Sequence, residues 1–168
     1  MGWTTSIIAV RGRTVAELLN APLRSYTPTG ATVSAEIAST SHLKGDLALA
    51  EIMGWCVITQ PGGALAMNDD MMEDLSLGAR SLGFLLSSVA SVYGFCLYVE
   101  GQERRRILYL NGEVTDELGP ALPAEAAIAR PSWGYDEDWV VTLLERMTGI
   151  GWAVFEAQRF VAVAASGE

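Results

Sequence analysis

The stretch Ser91–Pro123, SVYGFCLYVEGQERRRILYLNGEVTDELGPALP, decides how this chain is read. Val92–Val99 and Arg104–Leu110 are apolar, aromatic-rich runs with the composition of strands packed on a core. They are joined across Glu100–Glu103. Asn111-Gly112 follows, and both residue types tolerate the positive φ that a type I′ hairpin turn demands. Glu113–Leu118 then adds a short edge strand, which Gly119-Pro120 stops. Consecutive strands linked by tight turns predict a β-meander. Alternation along the second strand sends Arg105 to the face opposite Arg104 and Arg106.

Outward from this segment the chain alternates between strand and helix signals. Trp3–Val10 ends in Ile7-Ile8-Ala9-Val10, apolar on both faces, which predicts a central strand covered on both sides. Thr14-Val15-Ala16-Glu17 fits a capping box, and Val15, Leu18 and Leu19 share one side of the short helix that follows, ended by Pro22. Residues 24–42, dominated by Ser, Thr, Gly and Pro, read as a loop with at most one helical turn. Leu47–Ile52 and Trp55–Thr59 read as a hairpin closed by Pro61-Gly62-Gly63. Asn68 ahead of Asp69, Asp70, Glu73 and Asp74 is a helix start, because a cap and first-turn carboxylates satisfy the free amides and the helix dipole.

Leu82–Ala90 reads as strand, Leu122–Arg130 as a short helix, and Ser132–Tyr135 as a loop with two exposed aromatics. Asp136-Glu137-Asp138 opens the clearest helix, with Trp139, Val140, Leu143, Leu144 and Met147 on one stripe and Thr148-Gly149 at its end. The segment Trp152–Ala164 is apolar and is compatible with either strand or helix. The expected architecture is a single α+β domain over residues 1–168, a largely antiparallel sheet packed with a few helices.

Half of the 168 residues are apolar and 18% are charged, the balance of a globular chain. Twenty acidic residues against eleven basic give a net charge of −9. That field repels a phosphate backbone, so nucleic acid is not an expected partner. It suits a basic protein partner, where complementary charge speeds association, and it equally fits a charge that simply keeps the chain soluble. No basic segment leads into an apolar core at the N-terminus, and no apolar run approaches the roughly 20 residues that span a bilayer. A cytoplasmic protein without membrane contact is the expectation.

The residues that carry chemistry are sparse. His42 is the only histidine, which excludes any site that needs two imidazoles. Gly78-Ala79-Arg80-Ser81-Leu82-Gly83 has G-x-x-S-x-G spacing rather than the G-x-S-x-G of a nucleophile elbow. Cys56 and Cys96 lie in apolar runs, where burial raises a thiol pKa, and read as reduced core residues. Asp69 pairs with Glu73 and Asp70 with Asp74 on the helix surface, but neither an EF-hand nor a phosphate loop accompanies them. These carboxylates, like Asp136, Glu137 and Asp138, read first as solvated helix starts. Trp55, Tyr93, Phe95, Tyr98 and Tyr109 read as core, whereas Trp133 and Tyr135 beside the Asp136–Asp138 run read as surface recognition residues. No catalytic residue, metal site or cofactor is expected.

Several motifs resemble a group of small bacterial proteins of unassigned function. They are Met1-Gly2-Trp3 before the Ile7–Val10 strand, Gly54–Ile58, the YGFxLYxxGxxR pattern from Tyr93 to Arg104, and the GxxLPxE pattern from Gly119 to Glu125. The resemblance covers about a third of the chain and implies no activity and no site residues. The leading expectation is a non-enzymatic protein-binding module, in its most concrete form an immunity-type inhibitor that occludes a basic toxin domain. Its candidate binding residues are Asp69, Asp70, Glu73, Asp74, Trp133, Tyr135, Asp136, Glu137 and Asp138. One alternative is a small-molecule-binding domain or unfamiliar enzyme with a pocket near Trp133 and Tyr135. The other is a homo-oligomeric structural module.

Overall fold

A computed structural model describes residues 3–167; Met1 and Gly2 of the N-terminal motif, and Glu168, lie outside it. Nine strands form one open antiparallel sheet, in the order β2-β9-β3-β4-β1-β5-β6-β7-β8. Their ranges are β1 Thr4–Arg11, β2 Tyr26–Ser34, β3 Leu47–Ile52, β4 Trp55–Pro61, β5 Arg80–Ser87, β6 Val92–Val99, β7 Gln102–Leu110, β8 Glu113–Leu118 and β9 Arg159–Ala165. The apolar Ile7–Val10 run lies at the centre as expected, with Ile8 opposite Ile58 of β4 on one side and Gly83 of β5 on the other. Strands β5 to β8 are consecutive neighbours, so the meander accounts for this half of the sheet. The other half is assembled from strands distant in sequence, with β9 inserted between β2 and β3.

Helices cover both faces. On one face α1 (Val15–Asn20), a 3₁₀ turn (Leu65–Met67) and α3 (Asp69–Ser76) bury Leu18, Leu65, Met72 and Leu75 against Ile8, Val10, Ile58, Cys96 and Tyr98. On the other, α2 (Ala35–Ala38), α4 (Pro123–Ala126), α5 (Glu137–Thr148) and α6 (Trp152–Glu156) pack on Ile7, Ala9, Phe84, Phe95, Tyr109 and Phe160. Alternation along β1 separates Ile7 and Ala9 from Ile8 and Val10, which is why one strand feeds two cores. Trp139, Val140, Leu143 and Leu144 of α5 are buried, each gaining about 1.5–3 kcal/mol from leaving water. The capping box at α1 forms in both directions: the Thr14 hydroxyl accepts from the Glu17 amide at 3.1 Å, and the Glu17 carboxylate accepts from the Thr14 amide at 2.8 Å.

Two expectations need correction. Residues 26–34 form a strand rather than a loop, and the short α2 that follows is the one helical turn expected in this segment. This strand is exposed on both faces, and its register shifts between Pro28 and Thr32, so no alternation marks it. The helix expected over Leu122–Arg130 shrinks to Pro123–Ala126. The segment after Gly149 uses both of its options, with α6 leading into β9.

Candidate binding site

The two acidic segments singled out in the sequence end on opposite faces of the sheet. Asp69, Asp70, Glu73 and Asp74 project from α3, whose Met72 and Leu75 enter one core. Asp136, Glu137 and Asp138 start α5, whose apolar stripe enters the other. They therefore form two surfaces, not one.

On the first surface Asn68 caps α3, its side chain accepting from the Met71 amide at 2.9 Å. Asp69 accepts from the Tyr98 hydroxyl at 2.9 Å and faces Arg106 at 3.7 Å. Arg106 also contacts Glu103 at 3.1 Å and Asp116 of β8 at 2.9 Å. Burial works against the Arg106 charge, but Glu103, Asp116 and Asp69 outweigh it and hold the guanidinium protonated. Burial also pushes the Glu103 carboxyl above its usual range, against the pull of Arg106.

Alternation along β7 and the β7–β8 register place Leu108, Leu110 and Leu118 on this same face, with Asp116 opposite Leu108, whereas Glu113 at the turn reaches Arg130 at 3.9 Å. Leu110 and Leu118 are about four-tenths exposed, at 44% and 38%, so the apolar strip is open to solvent. All six residues of β8 are exposed and its outer edge is unpaired. An apolar strip bordered by carboxylates, next to an open strand edge, can receive a protein chain of positive charge.

The second surface is more occupied with its own structure. Asp136 caps α5 through the Trp139 amide at 3.1 Å and accepts from the Trp133 indole at 2.8 Å. Glu137 accepts from the indole of Trp3 at 2.7 Å, while Asp138 stays exposed beside it. Trp133 is 73% exposed, as expected. Tyr135 differs from its expected exposure: it stacks on Tyr109 at 4.1 Å, meets Trp139 edge-on, and lies under the Arg130 guanidinium. A small cavity of about 200 Å³ has Tyr135 and Trp139 on its wall together with Arg105, Glu117 and Glu125, but not Trp133. The Arg105 guanidinium there is already bound to both carboxylates.

A larger cleft of about 390 Å³ lies between α2 and α6, lined by Trp3, Glu36, Ser39, Trp152, Phe155 and Glu156 among others. A groove of about 630 Å³ beside it shares Trp3, Glu36 and Thr40 and adds His42, whose Nδ1 is 3.3 Å from the Thr40 hydroxyl. None of these residues stood out in the sequence as binding residues. They come from both ends of the chain and carry no common motif; the one local signal was an aromatic at the start of an apolar segment.

The remaining nucleophile candidates are core groups. Ser81 is buried and donates to the Met72 carbonyl at 3.2 Å. Cys56 and Cys96 are free and buried, and burial pushes each thiol up to about 12, the opposite of activation. Among the described residues no three His, Cys, Asp or Glu side chains are grouped to hold a metal ion, and no helix is long and apolar enough to cross a membrane. Compared with protein-family models, curated proteins and solved structures, the chain matches none.

Proposed function

We propose that this protein is a non-enzymatic binding module whose partner is a basic protein, and that it acts as an immunity-type inhibitor in the cytoplasm by occluding a toxin domain. The observation that carries the reading is the face formed by α3, β7 and β8. There Asp69 and Asp116 flank Arg106, the exposed Leu118 is the strand partner of Arg106, the exposed Leu110 lies further along β7, and Asp70, Glu73 and Asp74 project from α3. Apolar contact supplies affinity at the centre of such a face, and the carboxylates at its rim steer a cationic partner and reject an anionic one. The same carboxylates discourage β8 from pairing with a second copy of itself, since like charges would meet across the new ladder.

The test is co-expression in a bacterial host with the product of each adjacent gene. One neighbour is expected to arrest growth alone and to be tolerated beside the wild-type protein. The Asp70→Lys/Glu73→Lys/Asp74→Lys variant, checked for native circular dichroism, is expected to lose protection and to associate about tenfold more slowly at low salt. A set of harmless neighbours, or a folded triple variant that protects as well as wild type, would overturn the reading.

A further inference from the structure

We infer that the cleft between α2 and α6, on the sheet face opposite α3, is a binding site for an alkylammonium group. Its walls are aromatic. Trp3 meets Trp152 edge-to-face at 5.8 Å, and Trp152 stacks on Phe155 at 4.9 Å. Ring faces carry negative electrostatic potential, and a cation within about 6 Å of them is attracted more strongly as water is excluded. At about 390 Å³ the cleft is within the range of small-ligand sites.

Charge selects the ligand within that shape. Glu36 of α2 and Glu156 of α6 line the cleft from its two sides, and no Lys or Arg is among its lining residues. Neither carboxylate is in an ion pair among the described residues. An anion entering the cleft is repelled, and a neutral apolar molecule gains nothing from the carboxylates. An alkylammonium uses both features, its methylenes or methyls against the rings and its charge between the glutamates.

A third feature is independent of both. Ser39 lines the cleft and is 3% exposed, and its hydroxyl has no hydrogen-bond partner. A buried hydroxyl left unpaired is costly, so the site carries an unused polar group next to its aromatic walls. The walls are also held in place without a ligand. The Trp3 indole donates to Glu137 at 2.7 Å, its backbone amide donates to the Ser88 hydroxyl at 2.9 Å, and Phe155 is buried against Phe160. Glu137, a carboxylate already conspicuous in the sequence, thus positions one ring of the cleft.

The experiment titrates the full chain with choline, with n-butylammonium and with a short lysine-containing peptide, followed by tryptophan fluorescence and calorimetry. The neutral carbon isostere of choline, 3,3-dimethylbutan-1-ol, is the control. A saturable response is expected, with the cation at least about tenfold tighter than the isostere, as charge-dependent contacts with rings and carboxylates require. The Glu36→Gln/Glu156→Gln variant changes only exposed side chains and is expected to weaken the cation about tenfold while leaving the isostere unchanged. Tighter binding of choline or butylammonium assigns the site to a free amine; tighter binding of the peptide assigns it to a lysine side chain. The charge-reversed α3 variant, altered on the other face, is expected to bind like wild type, so this site and the proposed partner surface fail or stand separately. Equal binding of the isostere, or no saturation by any cation up to about 10 mM, would overturn the assignment.

Discussion

Arg105 is the largest fully buried side chain in the protein, 1% exposed and charged. It is tolerated because all three guanidinium nitrogens are hydrogen-bonded. Its Nε and terminal nitrogens bind Glu125 at 2.9 and 2.7 Å, Glu117 at 2.8 Å and the Gly119 carbonyl at 2.7 Å. Glu125 also accepts from the Leu122 amide at 2.7 Å, which starts α4. Gly119 lies at φ 76°, where a Cβ would collide with the Arg104 carbonyl. The GxxLPxE motif is therefore a clasp that ties α4 to β7, and its role is structural. Removing one member of a buried pair strands the other charge, so Glu125→Ala is expected to lose about 3–5 kcal/mol in urea unfolding. Replacing both, Arg105→Met/Glu125→Leu, is expected to recover most of that. A loss below about 1 kcal/mol for Glu125→Ala would contradict the clasp.

At the scale of elements, the 3₁₀ turn packs directly on β5 and β6. The Cys96 thiol donates to the Ala66 carbonyl at 3.1 Å, and a Cβ on Gly83 would come within 2.7 Å of both groups. The Cys56 and Cys96 thiols sit near 12 in the folded chain against an ordinary value of 9.0. A raised folded pKa means the unfolded chain ionises first. Their contribution to stability is thus complete below about pH 8.5 and is lost as pH rises towards 12. Burial moves Tyr98 and Tyr109 in the same direction. The urea midpoint is expected to fall between pH 8 and pH 11, with both thiols inert to a thiol reagent at pH 8 until urea unfolds the chain. Rapid labelling of the native protein would contradict this.

Legibility in the sequence also divides by element. The Thr14–Glu17 box, the Asn68 and Asp136 caps and the Asn111-Gly112 turn were readable because each is satisfied by residues within a few positions. Strand β2 was not, because its only partner is β9, more than a hundred residues later, and water on both faces removes the alternation that burial imposes. The acidic residues were legible as charges but not as a surface. Their assignment to two faces depends on which core each helix enters. The cleft was hidden for the same reason: Trp3, Ser39 and Trp152 meet only through the sheet.

For the whole molecule, one sheet with a core on each face presents two separate surfaces. The α3–β7–β8 side is acidic with an apolar strip and an open edge, and the α2–α6 side is a small aromatic cleft. Net charge of −9 acts over both, and the first side carries the exposed Leu110 and Leu118. There α3 and β8 are already fixed by Asn68, Asp69, Arg106 and Asp116, so a partner seated on them would order few new groups. The most direct measurement is hydrogen exchange of the protein alone and in complex with the basic partner proposed for it. Slowed exchange is expected at Asp69–Ser76 and along Leu108–Leu118, with the Trp133–Asp138 segment unchanged. Protection centred on Trp133–Asp138, with none at α3 and β8, would contradict this.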